Sequence, residues 1–223
     1  MTEQVSTGTV TDTEAPETGM STARAAPTLG THVASKIGVL QKRMLSGDDS
    51  GARALLARLR RAVGQPIGAE PAVWEVVFDR LPARYIGSGD EPSAGEQAAY
   101  AATTLYAVHQ QSKASPMHVP RTGFGTAIRR LVSPADVEQL GGPIMRRFNA
   151  LTTADGLSEV LHHARGLVQL LRREDVGFDY GAFADDLYWL QDPRHANKVR
   201  LRWARQFHRT INTPTTTQET TES

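Results

Sequence analysis

The residues with the chemistry for catalysis or metal binding do not fall into any arrangement that would use it. His109, His162, His163 and His195 are not spaced as HExxH, and no HD dipeptide with a distant Asp is present. His162 and His163 are adjacent, so on a helix they project about 100° apart and make poor joint ligands. All four histidines are expected at the surface. Asp185 and Asp186 could hold a metal, but the arginines of the following stretch make a structural ion pair the expected role. There is no Walker loop, GxGxxG or GxSxG. The chain has no cysteine, which excludes disulfides, thiol nucleophiles and Cys-ligated zinc or iron–sulfur sites and fits a cytoplasmic address. No catalytic residue, metal or cofactor is therefore assigned. A helical hydrolase using Asp185, Asp186 and a histidine is a minor alternative, which a metal-dependent activity lost on Asp186→Ala would revive.

The cations carry the stronger pattern. Arg194, Lys198, Arg202, Arg205 and Arg209 recur at intervals of 4, 4, 3 and 4 residues, which keeps them in one stripe of a helix. Like charges at i, i+4 repel by a few tenths of a kcal/mol per pair, roughly, and a polyanion would remove that cost. Further basic positions are Arg53, Arg58, Arg60 and Arg61, then Arg121, the pair Arg129 and Arg130, and the pair Arg146 and Arg147. Any one pair is an ordinary solvated helix face. Several on one surface would follow a phosphate backbone without reading its sequence. Arg200 flanks the apolar side of the same helix, where a charge must be paired, so Asp185 or Asp186 is its expected partner. Leu201 falls on the outer face.

The formal net charge of +1 over 223 residues hides an uneven distribution. Residues 1–28 hold four acids and one Arg, and residues 213–223 hold two acids and no base. The body is correspondingly basic, with most of the surplus in residues 116–212, which carry fourteen bases against ten acids. This asymmetry is milder than that of histone-like proteins. The N-terminus has neither a cationic start nor an apolar core, and no apolar run approaches the ~18 residues that cross a bilayer.

The elements that would position these cations read as helix after helix, an all-α chain with no strand alternation. Residues 1–28 and 213–223 are polar, rich in Thr, Ser and Glu, and expected to be disordered. Helices are predicted over 31–45 (Val33, Ile37, Leu40 and Met44 inward), 51–63 (Leu55, Leu56, Leu59 and Val63) and about 71–81 (Trp74, Val77, Phe78 and Leu81). Ser93 with Glu96 forms a capping box for a long alanine-rich helix ending near Gln111. Residues 113–123, with two prolines, read as a linker between an N-terminal bundle (29–115) and a C-terminal bundle (116–212).

In the second half, Phe124, Ile128 and Leu131 share one face. Ser133, Pro134 and Asp136 start a short helix that the Gly141-Gly142-Pro143 break ends. Ile144, Met145, Phe148 and Leu151 form the next, and Leu157 to Leu171 make the cleanest amphipathic helix. Tyr180, Phe183, Ala184, Leu187 and Tyr188 line one helix face. Asp192 before Pro193 then opens the last helix, with Ala196, Val199, Trp203 and Phe207 inward. Residues 178–209 hold seven of the chain's fourteen Phe, Tyr and Trp residues, which marks this stretch as the centre of the core.

Taken in order, FGTAIRRL (124–131), RRFNALTTAD (146–155), LSEVLHHARGLVQLLRRE (157–174), YGAFADDLYWLQDP (180–193) and VRLRWARQFHR (199–209) resemble the CasB family, the small subunit of the type I-E Cascade CRISPR surveillance complex. ALLARLRRAVG (54–64) and PAVWEVVFDRLP (71–82) fit it too. The likeness covers most of residues 50–210. The acidic, Thr-rich N-terminal tail is not a family feature.

The resemblance implies a two-domain helical subunit without catalytic role, present as two tandem copies beside the guide-bearing backbone subunits. Its partners would be the other Cascade subunits, guide RNA, target DNA with its displaced single strand, and a second copy of itself. By motif position, Arg58, Arg60, Arg61, Arg129, Arg130, Arg146 and Arg147 carry over as nucleic-acid contacts. Arg121 joins them on charge alone, and Lys198, Arg202 and Arg205 join from the helical stripe. The competing reading is a protein-interaction scaffold whose basic faces dock acidic partner subunits without touching nucleic acid.

Overall fold

The structure is a computed structural model that describes residues 28–47, 49–133 and 142–209. Both predicted disordered tails, except Thr28, and most of the short helix expected after Ser133 lie outside the described residues.

Nine α-helices form among the described residues, and most begin where a capping side chain is available. Helix α1 (Leu29–Leu45) starts at Thr28, whose hydroxyl accepts the Thr31 N–H, and α2 (Ser50–Arg61) starts at Asp49, which accepts the Ala52 N–H. A 3₁₀ turn at Pro71–Val73 leads into the short α3 (Trp74–Phe78), and another lies at Ala83–Tyr85. The expected single helix over 71–81 is thus broken. Val73, Val77 and Leu81 take the buried positions, while Trp74 is 43% exposed instead of facing the core. Phe78 is only partly buried.

Helix α4 (Ala94–His109) has both hydrogen bonds of the Ser93/Glu96 capping box. Its alanines 98, 99, 101, 102 and 107 are buried, which lets α1, α2, α7 and α8 approach it. The second half contains α5 (Phe124–Arg129), α6 (Pro143–Thr153), α7 (Gly156–Arg173), α8 (Tyr180–Leu190) and α9 (Pro193–His208).

Helix α8 lies at the centre and packs on α1, α4 and α9. Its crossing with α1 is made by glycine on both sides. A Cβ added to Gly181 would stand 2.6 Å from the Gly30 carbonyl oxygen, closer than any side chain permits. The hydrophobic core runs from Leu29 and Leu56 to Phe148 and Phe207, so residues of both halves contribute to it.

Residues 113–123 join the halves, and they are held down along their length. Met117 is fully buried, and the buried Gln110 side chain accepts the Met117 N–H (3.0 Å) while donating to the Lys113 and Ser115 carbonyls. Gln41 of α1 brackets His118 with two hydrogen bonds, His118 N–H to its Oε1 at 2.8 Å and its Nε2 to His118 O at 3.1 Å. Phe178 N–H donates to Met117 O and Val119 N–H to Phe178 O. The entry to α8 is thereby fixed to both halves.

Candidate nucleic-acid interface

The face that α9 shows to solvent follows from what its other face buries. Asp192 caps the helix, accepting the Arg194 N–H at 2.9 Å, and Pro193 occupies its first turn. Ala196, Val199, Trp203 and Phe207 are buried, as their spacing predicts. The Trp203 ring packs on Phe124 and Phe183, and Phe207 stacks on Phe148 with centroids 4.2 Å apart. This anchoring turns Arg194, Lys198, Arg202, Arg205 and Arg209 outward, all exposed, with Leu201 50% exposed beside them.

Two of these cations are already paired. Arg194 pairs with Asp192 at 2.9 Å, and Arg202 forms an ion pair with Asp186. The side-chain hydrogen bond from Arg194 holds the Asp192 carboxyl far below its ordinary value. Asp186 is buried and also accepts the Trp203 Nε1–H at 2.5 Å. Burial nevertheless outweighs both partners and pushes its pKa up to about 6.

The expected pairing of Arg200 with Asp185 or Asp186 is not formed. Arg200 turns toward the α6–α7 junction, where its guanidinium donates to Ala154 O at 2.9 Å and to Asn197 Oδ1 at 3.3 Å. Asp185 instead accepts the Gly30 N–H at 2.8 Å, closing the α1–α8 crossing, and burial raises its pKa. Both aspartates are engaged inside the fold.

Of the remaining predicted contacts, Arg129, Arg146 and Arg147 lie on helices that pack on α9, and Arg121 and Arg130 flank α5. Helix α5 crosses α9 at Gly125, whose N–H donates to Gln206 Oε1 at 3.1 Å and where any Cβ would collide with the Trp203 carbonyl. Arg129 and Arg130, half-buried and exposed, lie at its end. Arg121, just before it, adopts φ +65° while its N–H donates to Asp179 Oδ2 at 2.8 Å, leaving the side chain exposed. Arg146 and Arg147 are exposed on α6, next to Phe148 and its stack on Phe207.

The α2 arginines form a separate group. Arg58 and Arg61 are exposed, while Arg60 is half-buried, and burial followed by the neighbouring Arg172 of α7 lowers its pKa. Arg58, Arg61, Arg121, Arg129, Arg130, Arg147, Lys198 and Arg205 have no ion pair among the described residues.

Arg172, missing from the predicted set, was legible as a base in the last turn of the amphipathic helix. Its approach to Arg60 was not, because that depends on how α2 and α7 sit around α4. The exposed indole of Trp189 was also missed, although it falls outside the Tyr180–Phe183–Ala184–Leu187–Tyr188 stripe.

His109 is a correction. It is fully buried, with Nδ1 3.0 Å from the Tyr180 hydroxyl, and burial pushes its pKa down to about 3. It sits on α4, which is surrounded by other helices, so no face of that helix is free. His195 lies against Asp192, and His163 is 3.6 Å from Glu159. Among the described residues no three His, Asp or Glu side chains gather as a metal site, and no helix is long and apolar enough to cross a membrane.

The sequence model described as CRISPR-associated protein Cse2 matches residues 55–208. The fold matches the crystal structure of CasB from Thermobifida fusca at 32% identity and a TM-score of 0.68, covering 82% of this chain and all of that one. A Cse2-family CRISPR-associated protein from Thermus thermophilus matches at 25% identity and a TM-score of 0.59, covering 80% of this chain and 96% of that one. A chain of a CRISPR RNA-guided surveillance complex shares the fold at 21% identity and a TM-score of 0.59, with 81% of this chain and 94% of that one covered. Among curated proteins none matches.

Proposed function

The chain belongs to the CRISPR-associated Cse2 family, which includes the CasB proteins, and from that premise we propose that it is a non-catalytic, nucleic-acid-binding subunit of a type I-E CRISPR interference (Cascade) complex. In this role it stabilises the R-loop by contact with the displaced DNA strand and the guide–target hybrid. Its partners are the other subunits, the guide RNA and a second copy of itself, in the cytoplasm.

The observation that carries the proposal is that Arg129, Arg130, Arg147, Lys198 and Arg205, all within the family-matched region, have no ion pair among the described residues. R-loop formation exchanges one duplex for another of similar stability, so modest contacts to the released strand decide how long the open state lasts. Cations fixed on packed helices supply such contacts without reading bases. The α2 group, lying apart from the α9 group, suits a second segment of nucleic acid or a neighbouring subunit.

Photo-crosslinking within the assembled complex tests this. Target DNA carrying photoreactive thymidines in its displaced strand is expected to crosslink to this subunit, with Arg129, Arg130, Lys198 and Arg205 near the adducts. Full incorporation of the subunit without any crosslink to either DNA strand would make it a protein-docking scaffold and overturn the proposal.

A further inference from the structure

Where α8 ends and α9 begins, a ladder of rings runs from the core to the surface. The buried Tyr85 meets Tyr188 edge-on at 5.3 Å, Tyr188 meets Trp189 edge-on at 5.0 Å, and Trp189 meets the His195 imidazole at 4.5 Å. Trp189 keeps 40% of its area in solvent. Asp192 fixes this outer end. One carboxylate accepts from Arg194, the first cation of the α9 stripe, and lies 2.9 Å from His195 Nδ1, the last ring of the ladder. The exposed indole is therefore tied to the start of the row that continues through Lys198 and Arg205.

An exposed, braced aromatic surface beside a row of cations combines the two features that bind single-stranded nucleic acid. The cations take successive phosphates, and the ring takes the flat face of a base, whichever base it is. A duplex offers no such face, because its bases already stack on each other. We infer that Trp189, held by Tyr188 and His195, stacks a base of a single strand whose phosphates follow Lys198 and Arg205. The site rests on the strand-holding reading and adds to it a preference for unpaired strand over duplex. An acidic protein segment would satisfy the cations, but it has no particular use for a braced indole.

The test is a titration of the full-length protein with fluorescein-labelled oligothymidylate at two salt concentrations. It compares the wild type with Trp189→Ala, Trp189→Phe and the double reversal Lys198→Glu/Arg205→Glu, each checked for native helicity. Trp189→Ala is expected to bind about tenfold more weakly, as loss of one stacked base implies. Its dependence on salt should be unchanged, and Trp189→Phe should recover most of the affinity. The double reversal should flatten the salt dependence instead, by about 0.7 in logarithmic slope per lost phosphate contact.

If Trp189→Ala binds like the wild type while the double reversal binds weakly, the stacking site is wrong and the strand-holding reading stands. If neither variant differs from the wild type, or the wild type does not bind, both fall for this face. If Trp189→Ala keeps full affinity for the strand but fails to enter the assembled complex, the patch is a protein contact and the inference is overturned.

Discussion

Helices α8 and α9 are neighbours in sequence and in space, yet they direct their charges oppositely. The carboxylates of α8 point into the fold. Asp185 holds the α1–α8 crossing through the Gly30 N–H, and Asp186 receives the Trp203 indole and Arg202. The stripe of α9 points out, and beyond Arg194 and Arg202 its cations meet no acid among the described residues. A charge that the fold uses comes with a named partner across an interface, while Lys198 and Arg205, proposed above to meet nucleic acid, lie on an anchored helix with no ion pair among the described residues. Pairing marks a structural charge that position on the helical wheel does not, since Arg202 sits in the stripe and is paired.

The largest expected effect is on the buried side of α9. Trp203→Ala removes the ring between Phe124 and Phe183 and strands Asp186 without its indole donor, so a loss of about 3–5 kcal/mol in urea unfolding is expected. A loss under ~1 kcal/mol would mean that α9 is not anchored as described.

Asp186→Asn probes the α8 side more finely. The group titrates near 3.8 when unfolded and at about 6 in the folded protein, so the native state binds this proton more tightly. Its contribution to stability is complete below about pH 4 and is lost as pH rises through 6. The wild type should therefore lose stability relative to Asp186→Asn between pH 4 and pH 7, by an amount on the order of 2 kcal/mol. A constant difference across that window would contradict the burial-dominated environment.

Reversing Arg129 and Arg130 to Glu should change stability least, within about 0.5 kcal/mol, because these residues have no ion pair among the described residues. It should nevertheless shorten R-loop retention and weaken its dependence on salt. Unchanged retention with a folded mutant would remove these two residues from the interface.

The all-helical fold and most inward faces were legible because they rest on local spacing. Ala196, Val199, Trp203 and Phe207 recur at helical intervals and are buried, and Ser93 with Glu96 forms its box within four residues. What could not be read depended on contacts between distant segments. Arg200 and Arg202 are both within reach of the preceding helix by sequence, and only the crossing angle of α8 and α9 selects Arg202 for Asp186. His109 looks like any polar residue near a helix end until α7 and α8 close over α4. The prolines of 113–123 read as a connection, but the burial of Met117 and His118 is set by Gln41 and Phe178, which lie far from them in the chain. For the candidate interface, the basic positions were legible and their grouping was not. That α5 and α6 both pack on α9, while the α2 arginines lie with Arg172, is a property of the packing.

The most direct test of the central claim is the lifetime of a target R-loop on the reconstituted complex, with and without this subunit, at low and high salt. Electrostatic strand holding predicts a lifetime that shortens when the subunit is omitted, and an advantage conferred by the subunit that shrinks as salt rises. Equal lifetimes with and without the subunit, in complexes shown to contain it, would contradict the account.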